Sequence, residues 1–254
     1  MTALKNTIRS LLPRQLIKAF QRYRVKIRSA HYNTLSTREI FTQIYKEGAW
    51  GKSDDPSDKY YSGFGSRNRE VIDAYVESIG LFLRSFETKP HVVDLGCGDF
   101  FVGSQLRDLC ATYTACDIVE PLIESNKQRF AYLNVDFRVL DITEDELPQG
   151  EIVFIRQVFQ HLSNERIQRV VSRLSTQYKY LVLTEHLPSA ESFLRNLDNP
   201  TGPYFRLYIN SGIVLTSSPF NLKVIEERTL CQVLDRCQVL DREGIIRTTL
   251  YRLS

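Results

Sequence analysis

The sequence predicts an α/β fold whose sheet is mostly parallel and carries helices on both faces. From residue 91 onward, short apolar runs alternate with amphipathic helical patterns, as they do in strand–helix–strand crossovers. The length of 254 residues suits one large α/β domain with a short appendage. With 43% hydrophobic residues the chain can fill a core. Its apolar runs are far shorter than the ~20 residues of a bilayer span, so no membrane-spanning helix is expected.

The first 36 residues are predicted to form a basic helical extension. Residues 1–38 contain nine basic side chains and no acidic one, whereas the rest of the chain carries a net charge of −6. Apolar residues from Leu11 to Tyr23 interleave with the basic ones at roughly helical spacing. Four interpretations stay open: a helix lying on the main domain, an interfacial helix on anionic lipid through residues 1–30, an organellar targeting segment, and an arm that binds nucleic acid.

Residues 37–90 are predicted to form a helical cap ahead of the core. Thr37–Glu47 has a helical pattern that ends at Gly48. The following segment, Gly51–Ser66, is rich in Ser, Asp and Gly and is predicted to be a loop. Ser66 is then the expected N-cap of a second helix. The apolar positions of that helix follow helical spacing: Val71, Ile72, Tyr75, Ile79, Phe82, Leu83 and Phe86.

Residues 91–254 are predicted to form the core, in which strands and helices alternate before two tail strands pair antiparallel at one sheet edge. The predicted core strands are His91–Leu95, Thr112–Asp117, Asp136–Leu140, Glu151–Ile155 and Lys179–Glu185. The predicted helices between them are Pro121–Phe130 and Asn164–Gln177, and the tail strands are Leu222–Arg228 and Gly244–Leu253. Between the tail strands, Cys231–Arg236 is repeated without change at 237–242, which we interpret as a tolerated duplication near a hairpin.

The most informative segment is a glycine turn after the first strand, Asp94-Leu-Gly-Cys-Gly98. Gly96 and Gly98 allow positive φ angles and the close approach of a ligand to the backbone. Asp99 is predicted to open a helix. The third glycine of a dinucleotide-binding fingerprint would fall on Phe101, and the Lys-Ser/Thr pair of a P-loop is absent. The turn therefore points to a ligand other than a dinucleotide or a bare phosphate.

Three acidic residues sharpen this interpretation. Asp94 precedes the glycines, Asp117 ends the second predicted strand, and Asp141 follows the third. The carboxyl ends of parallel strands meet at one edge of a sheet, which is where open α/β sheets bind ligands. An acid at the position of Asp117 can accept two hydrogen bonds from a ribose diol. Acids around one rim repel phosphate and attract cations, so the sequence predicts a site for a cationic ligand that carries a ribose.

In the glycine turn and these acids, the sequence resembles the class I S-adenosylmethionine-dependent methyltransferases, in particular bacterial enzymes that act on small molecules. The resemblance covers about residues 90–185. It implies a Rossmann-like sheet of seven strands whose last strand is antiparallel, and S-adenosylmethionine as the cofactor. Phe100 stands where many members have a third glycine, and Gln157 stands where an acid is common.

The resemblance also implies which residues bind the cofactor. The glycine turn lies under its methionine part, Asp117 holds the ribose hydroxyls, and Asp141 lies near the adenine amino group. Ile142 offers a backbone contact to the ring, and the residues after strand four touch the methionine end. The implied cofactor-binding residues are Asp94, Gly96, Cys97, Gly98, Asp117, Ile118, Asp141, Ile142, Arg156 and Gln157.

His161 is the candidate general base. It follows Gln157 by four residues, so the two side chains share a face if this turn is helical, and its reference pKa lies near neutrality. The alternative is a packed histidine that positions the helix cap at Ser163. Glu185 and His186, after strand five, form a second candidate pair.

Two segments are predicted as lids or acceptor walls, residues 60–66 and residues 187–219. The first combines aromatics with two glycines, and its alternative is an ordinary connector. The second holds the polar and aromatic residues Arg195, Asn199, Tyr204, Arg206, Tyr208 and Asn210.

The sequence thus predicts a methyltransferase acting on a small-molecule acceptor, with a sugar or a lipid-linked precursor as the first suggestion. An RNA methyltransferase is the alternative that the basic arm favours and the core charge of −6 disfavours. A non-catalytic scaffold that binds the cofactor is the third interpretation. The five cysteines show no CxxC and no zinc spacing, so we expect free thiols, no metal and a cytoplasmic location, with peripheral membrane contact through residues 1–30 as an open point. No obligate protein partner is evident.

Overall fold

A computed structural model describes residues 30–32, 34–53, 58–189, 193–237 and 242–254, together with positions 23, 27 and 55. Most of the predicted extension at 1–36 lies outside the described residues, so its helical character and its four interpretations stay predictions. Residues 238–241, within the second copy of the repeated segment, also lie outside them.

Seven strands form one sheet, and a separate pair of short strands lies outside it. The strands are β1 (His91–Leu95), β2 (Thr112–Asp117), β3 (Asp136–Val139), β4 (Ile152–Arg156), β5 (Tyr180–Pro188), β6 (Leu194–Arg195), β7 (Ser211–Gly212), β8 (Val224–Cys237) and β9 (Arg242–Leu253). The order in the sheet is β3-β2-β1-β4-β5-β9-β8. Strands β1 to β5 pair in parallel, and β9 runs antiparallel to both β5 and β8. This confirms the predicted fold class, including the antiparallel last strand.

Four α-helices are described, α1 (Thr37–Glu47), α2 (Arg69–Arg84), α3 (Glu120–Arg129) and α4 (Asn164–Gln177). Short 3-10 helices occupy Ala30–Tyr32, Phe64–Ser66, Gly103–Gln105, Arg107–Leu109, Ala131–Leu133, Phe159–His161 and Arg206–Ile209. Helix α1 begins with a capping box in which the Ser36 and Glu39 side chains each accept the other residue's backbone N–H. It ends at Gly48, whose φ of 62° is the left-handed C-cap that the sequence predicts.

Two apolar layers cover the two faces of the sheet. Successive residues of a strand point to opposite faces, so Val93 of β1 joins one layer and Val92 joins the other. Helix α4 packs on the first face through Ile167 and its neighbours, whereas α2 packs on the second through residues that include Ile79. Burial on both faces explains why the central strands β1 and β4 are largely apolar in the sequence.

Two local predictions are wrong. The N-cap of α2 is Asn68, whose side chain accepts the N–H of Val71, and not Ser66. No helix opens at Asp99: two 3-10 turns follow instead, from Gly103 onward. Phe100 has a left-handed φ of 56°, which a right-handed helix does not contain, so the chain leaves the helical path directly after Asp99. The Asp99 side chain accepts the N–H of Phe101 two residues on, which closes a single local turn.

Strand ends also differ from expectation. Strand β5 continues to Pro188, and β8 continues to Cys237, nine residues past the predicted end at Arg228. The first copy of the repeated segment therefore lies within β8, and the second copy begins at the last residue of β8 and ends at the first residue of β9. Among the described residues, no helix is long and apolar enough to cross a membrane.

Candidate active site

The glycine turn after β1 brings the chain close to two neighbouring segments. Gly96 and Gly98 have φ angles of 82° and 57°, which favour glycine. A Cβ on Gly96 would lie 2.4 Å from a methyl group of Val158, and one on Gly98 would lie 2.5 Å from the Ser62 hydroxyl. The Gly96 N–H donates to the carbonyl of Cys116 at 2.8 Å, which fixes the turn against β2. Only glycine therefore fits at these two positions, and the turn exposes bare backbone.

Asp117 at the end of β2 is buried and held by two backbone donors. Its carboxylate accepts the N–H of Gly98 at 3.1 Å on one oxygen and the N–H of Val119 at 3.0 Å on the other. Burial raises the pKa of Asp117 to about 6, although these two hydrogen bonds act to lower it. Each oxygen keeps a second lone pair, so the carboxylate can still receive a pair of ligand hydroxyls.

Asp94 is the second buried acid at this rim. It accepts the Tyr113 hydroxyl at 2.9 Å. Burial raises the pKa of Asp94 to about 7, and the nearby Arg156 guanidinium opposes this shift. Two buried carboxyls with raised pKa values make the rim favourable for a cation, because a positive charge would stabilise their ionised forms.

Asp141 lies two residues past the end of β3 and closes a local turn. One of its oxygens accepts both the N–H and the hydroxyl of Thr143, at 2.8 and 2.7 Å. This is the strand-end cap that such an acid commonly forms. Asp141 and Ile142 nevertheless line the same cavity as Asp117.

Arg156 is the last residue of β4, Gln157 follows it, and both contact the cap. The Arg156 guanidinium donates to the carbonyl of Gly65 at 2.6 Å. Gln157 has a left-handed φ of 56°, and a Cβ on Gly65 would lie 2.3 Å from its side-chain oxygen. The loop at 60–66 is therefore folded directly against the end of β4.

A polar clip, formed by Ser62 and Asp99, fastens the loop over the glycine turn. The Asp99 N–H donates to the Ser62 hydroxyl at 2.8 Å, and the Ser62 N–H donates to the Asp99 carboxylate at 3.3 Å. The hydroxyl of Tyr45 lies 2.9 Å from that of Ser62, and Arg67 lies 3.0 Å from the Asp99 carboxylate. Sequence reasoning named this loop as a lid but identified none of these contacts, which join residues far apart in the chain.

Packing of the side chain explains how Phe100 can stand where many class I methyltransferases have a third glycine. Its ring is fully buried and makes edge-on contacts with Tyr113, Phe130 and Phe137, with centroids 4.9 to 5.4 Å apart. The left-handed backbone that a glycine would adopt freely is here held by a large apolar contact area.

A second group of side chains forms what we call the aromatic end of the cavity. It consists of Trp50, His161, His186, Phe205, Tyr208 and Asp235. The rings of Trp50 and His161 are 4.8 Å apart, and His186 stacks on Phe205 at 5.4 Å with an interplanar angle of 9°. The indole N–H of Trp50 donates to the carbonyl of Pro203 at 3.2 Å, so the cap and the segment after β5 meet at this end.

His161 has contacts on both ring nitrogens. Nδ1 lies 3.2 Å from the carbonyl of Gly202, which requires Nδ1 to carry the proton. Nε2 lies 3.3 Å from the side-chain nitrogen of Gln160 and can only accept from it. Burial lowers the pKa of His161 to about 4, so the ring is neutral at pH 7. A general base at this position would have to release Gln160 first.

This burial predicts a pH-dependent contribution to stability. Because the folded pKa is lower than the ordinary value, the unfolded chain binds more protons between pH 6.5 and about 4. The contribution of His161 is complete above pH 6.5 and is lost as the pH falls, by up to about 3 kcal/mol at pH 4. Urea unfolding of the wild type and His161→Gln measures it, since other groups cancel in the difference. A difference that does not change with pH would contradict the burial described here.

The cavity has a volume of about 380 Å³ and joins both groups. All eleven site residues that the sequence predicts, including His161, line it. Of the acceptor-wall residues predicted after β5, Tyr208 lines it too, whereas Arg206 is fully buried beneath the segment. The described residues contain no group of three or more His, Cys, Asp or Glu that could hold a metal ion.

Comparisons with known proteins agree with this geometry. Residues 92–179 match a family model described as a methyltransferase domain. Malonyl-[acyl-carrier protein] O-methyltransferase of Acetivibrio thermocellus is 30% identical over 105 residues, which are 40% of this chain and 36% of that protein. The match therefore spans little more than a third of the length of this curated relative.

Two solved structures share the fold. N-methyltransferase NodS from Bradyrhizobium japonicum WM9, in complex with S-adenosyl-L-homocysteine, aligns with a TM-score of 0.56 at 14% identity, over 83% of this chain and 99% of that one. Magnesium protoporphyrin IX methyltransferase (ChlM) from Synechocystis PCC 6803, with bound S-adenosylmethionine, aligns with a TM-score of 0.53 at 15% identity, over 87% and 99%.

The sheet order, the glycine turn and the acid rim define a class I S-adenosylmethionine-dependent methyltransferase fold. Within this fold, residues 92–179 are similar to a methyltransferase domain. The resemblance seen in the sequence is thereby confirmed at the level of the fold, and the enzyme class and S-adenosylmethionine as the cofactor belong to the proposed function. The roles of the individual site residues stay predictions.

Proposed function

We propose that this protein transfers a methyl group from S-adenosylmethionine to a small-molecule acceptor. One observation carries the proposal: a single cavity joins the buried Asp117 and the glycine turn to an enclosed aromatic end. The first part suits a cationic ligand with a ribose, and the second suits an organic acceptor. Joining them in one cavity is what transfer between two bound molecules needs.

The residues present fit the cofactor. The turn at Gly96 and Gly98 exposes backbone without side chains, because a Cβ at either position would clash with Val158 or Ser62. The two oxygens of Asp117 are fixed by backbone donors and keep lone pairs to spare. Asp117 and Ile118 would hold the ribose, Asp141 and Ile142 the adenine, and the turn the methionine part. When bound, the cofactor supplies a methyl group that is already activated on a sulfonium.

The chain's own task is then to align the acceptor and to exclude water. The contact from Arg156 to Gly65 and the clip between Ser62 and Asp99 hold the loop closed over the glycine turn. The hydrogen bond from Trp50 to Pro203 closes the aromatic end. His161 as the general base stays part of the proposal, with release of Gln160 as the required movement.

A sugar or a lipid-linked precursor remains the acceptor that we suggest. The aromatic walls suit the face of a sugar ring or an apolar chain equally well. Peripheral membrane contact through residues 1–30 and a cytoplasmic location are part of the same proposal. The nine basic side chains of residues 1–38, without an acidic one, support the membrane contact.

Calorimetric titration with S-adenosylhomocysteine and a labelled-methyl assay on a metabolite extract test this function. We expect micromolar binding of S-adenosylhomocysteine, and transfer of label to a small molecule that the His161→Gln variant slows by about 10²-fold or more if His161 is the base. Binding without transfer would favour the non-catalytic scaffold. Absence of any heat at millimolar ligand would overturn the proposal, and label recovered in RNA would replace it with the alternative function.

A further inference from the structure

The aromatic end contains a histidine and a carboxylate that the cofactor does not explain. His186 and Asp235 are 5% and 8% exposed, and both line the cavity. His186 Nε2 lies 3.5 Å from a carboxylate oxygen of Asp235, yet it has no hydrogen-bond partner among the described residues. A buried polar atom without a partner is costly, so an unfilled hydrogen bond at a cavity wall points to a ligand.

Three adjacent strands build this pair. His186 is on β5, and its ring crosses β9 at Gly244 to reach Asp235 on β8. A Cβ on Gly244 would lie 2.2 Å from His186 Nε2, so the crossing depends on the glycine. Asp235 lies in the part of β8 beyond the predicted strand end, within the first copy of the repeated segment. The long hairpin is thus what brings a carboxylate to this wall.

The two side chains do not neutralise each other. Burial lowers the pKa of His186 to about 4, so its ring is uncharged at pH 7. Asp235 therefore faces a neutral imidazole, and burial raises the pKa of its carboxyl. Among the described residues that line the cavity, Arg156 is the one Lys or Arg, and its guanidinium is bound to Gly65. An anionic group at the aromatic end would meet Asp235 without a cation to pair with it.

From this geometry, and resting on the proposed function, we propose that His186 and Asp235 are the polar anchor of the acceptor site. They select an acceptor that is neutral or cationic and presents a hydroxyl or an amino group beside an apolar ring or chain. One hydroxyl or amine can contact both His186 Nε2 and the Asp235 carboxylate, because two points 3.5 Å apart can both lie within hydrogen-bond distance of a third. Carboxylate and phosphate acceptors are rejected.

Three probes with one ring and different charge test this selection: benzylamine, benzyl alcohol and benzoate. Each is titrated by NMR into the full chain saturated with S-adenosylhomocysteine, so that the probes are confined to the aromatic end. We expect millimolar binding, with benzylamine at least about tenfold tighter than benzoate and benzyl alcohol between them. Asp235→Asn should reduce the ratio to less than about threefold. His186→Gln removes the imidazole, and Gly244→Ala displaces it. Each variant should weaken the binding of benzyl alcohol severalfold.

The matched controls are Asp136→Asn and His91→Gln. Both residues are exposed and lie at the amino ends of parallel strands, opposite the cavity, so all three affinities should stay unchanged. Benzoate binding as tightly as benzylamine, a ratio unaltered by Asp235→Asn, or no binding of any probe would each overturn the anchor. Failure of S-adenosylhomocysteine to bind would instead overturn the proposed function. The three probes would then be titrated into the unliganded protein, where loss of the preference for benzylamine in Asp235→Asn would still test whether Asp235 sets the order of their affinities.

Discussion

Replacing Asp117 with alanine should weaken the binding of S-adenosylhomocysteine about 100-fold. The variant loses the two charge-assisted hydrogen bonds that the carboxylate would accept from the ribose hydroxyls, roughly 1.5–3 kcal/mol each, and local rearrangement offsets part of this loss. The N–H groups of Gly98 and Val119 would also lose their acceptor, so the variant should be less stable than the wild type as well. Asp117→Asn keeps one acceptor oxygen and should lose about tenfold. Titration calorimetry on each variant measures both values.

The control for this experiment is Asp136→Ala. Asp136 begins β3, pairs with Arg138 in an exposed position, and does not line the cavity. Its replacement should change neither affinity nor stability by more than about 0.5 kcal/mol. If Asp117→Ala binds as tightly as the wild type while remaining folded, the carboxylate does not hold the ribose and the assignment of the rim is wrong.

The position of Asp117 at this rim could be predicted from the sequence because the pattern around it is local. A strand ends at Asp117, and the glycine turn ends 19 residues before it. Since β1 and β2 are parallel neighbours, the edge of the sheet places Asp117 beside the glycines. The same reasoning located β1, β2 and α4 at their observed bounds. Periodicity fails where a single residue decides, as at Phe100, whose left-handed backbone replaces the expected helix.

The aromatic end was less predictable, since it depends on contacts between distant segments. His186 was named from its position at the end of a predicted strand, but nothing in the sequence indicates that its ring crosses β9 to meet Asp235 on β8. The length of β8 decides this contact, and the exact repeat obscured it by resembling an insertion without a role. Arg206 was expected at an acceptor wall because polar residues of long loops commonly line sites.

The structure gives Arg206 a different task, which leads to the second large effect. Its side chain is 0% exposed. The guanidinium donates to the carbonyl of Leu162 at 2.7 Å and to that of Leu197, so it joins the end of the β4 loop to the segment after β5. Burial lowers its pKa to about 10, against the opposing effect of Glu185 and Asp198, so it stays charged at pH 7.

Arg206→Ala should therefore lower the free energy of unfolding by about 3–5 kcal/mol, because two buried carbonyls lose their donor and a large cavity is left. Arg206→Lys should recover little of this loss, since one ammonium cannot reproduce the fork of the guanidinium. Arg195→Ala, in an exposed residue of the same segment, is the control and should cost less than about 0.5 kcal/mol. Urea unfolding measures all three.

The location of the damage distinguishes this role from a general loss of stability. Arg206 supports the segment that carries Phe205 and Tyr208, whereas the glycine turn and Asp117 lie on β1 and β2. Folded Arg206→Ala should hence bind S-adenosylhomocysteine within about threefold of the wild type while losing affinity for the aromatic probes at the aromatic end. Equal loss at both ends would mean that Arg206 stabilises the whole domain and not the acceptor wall.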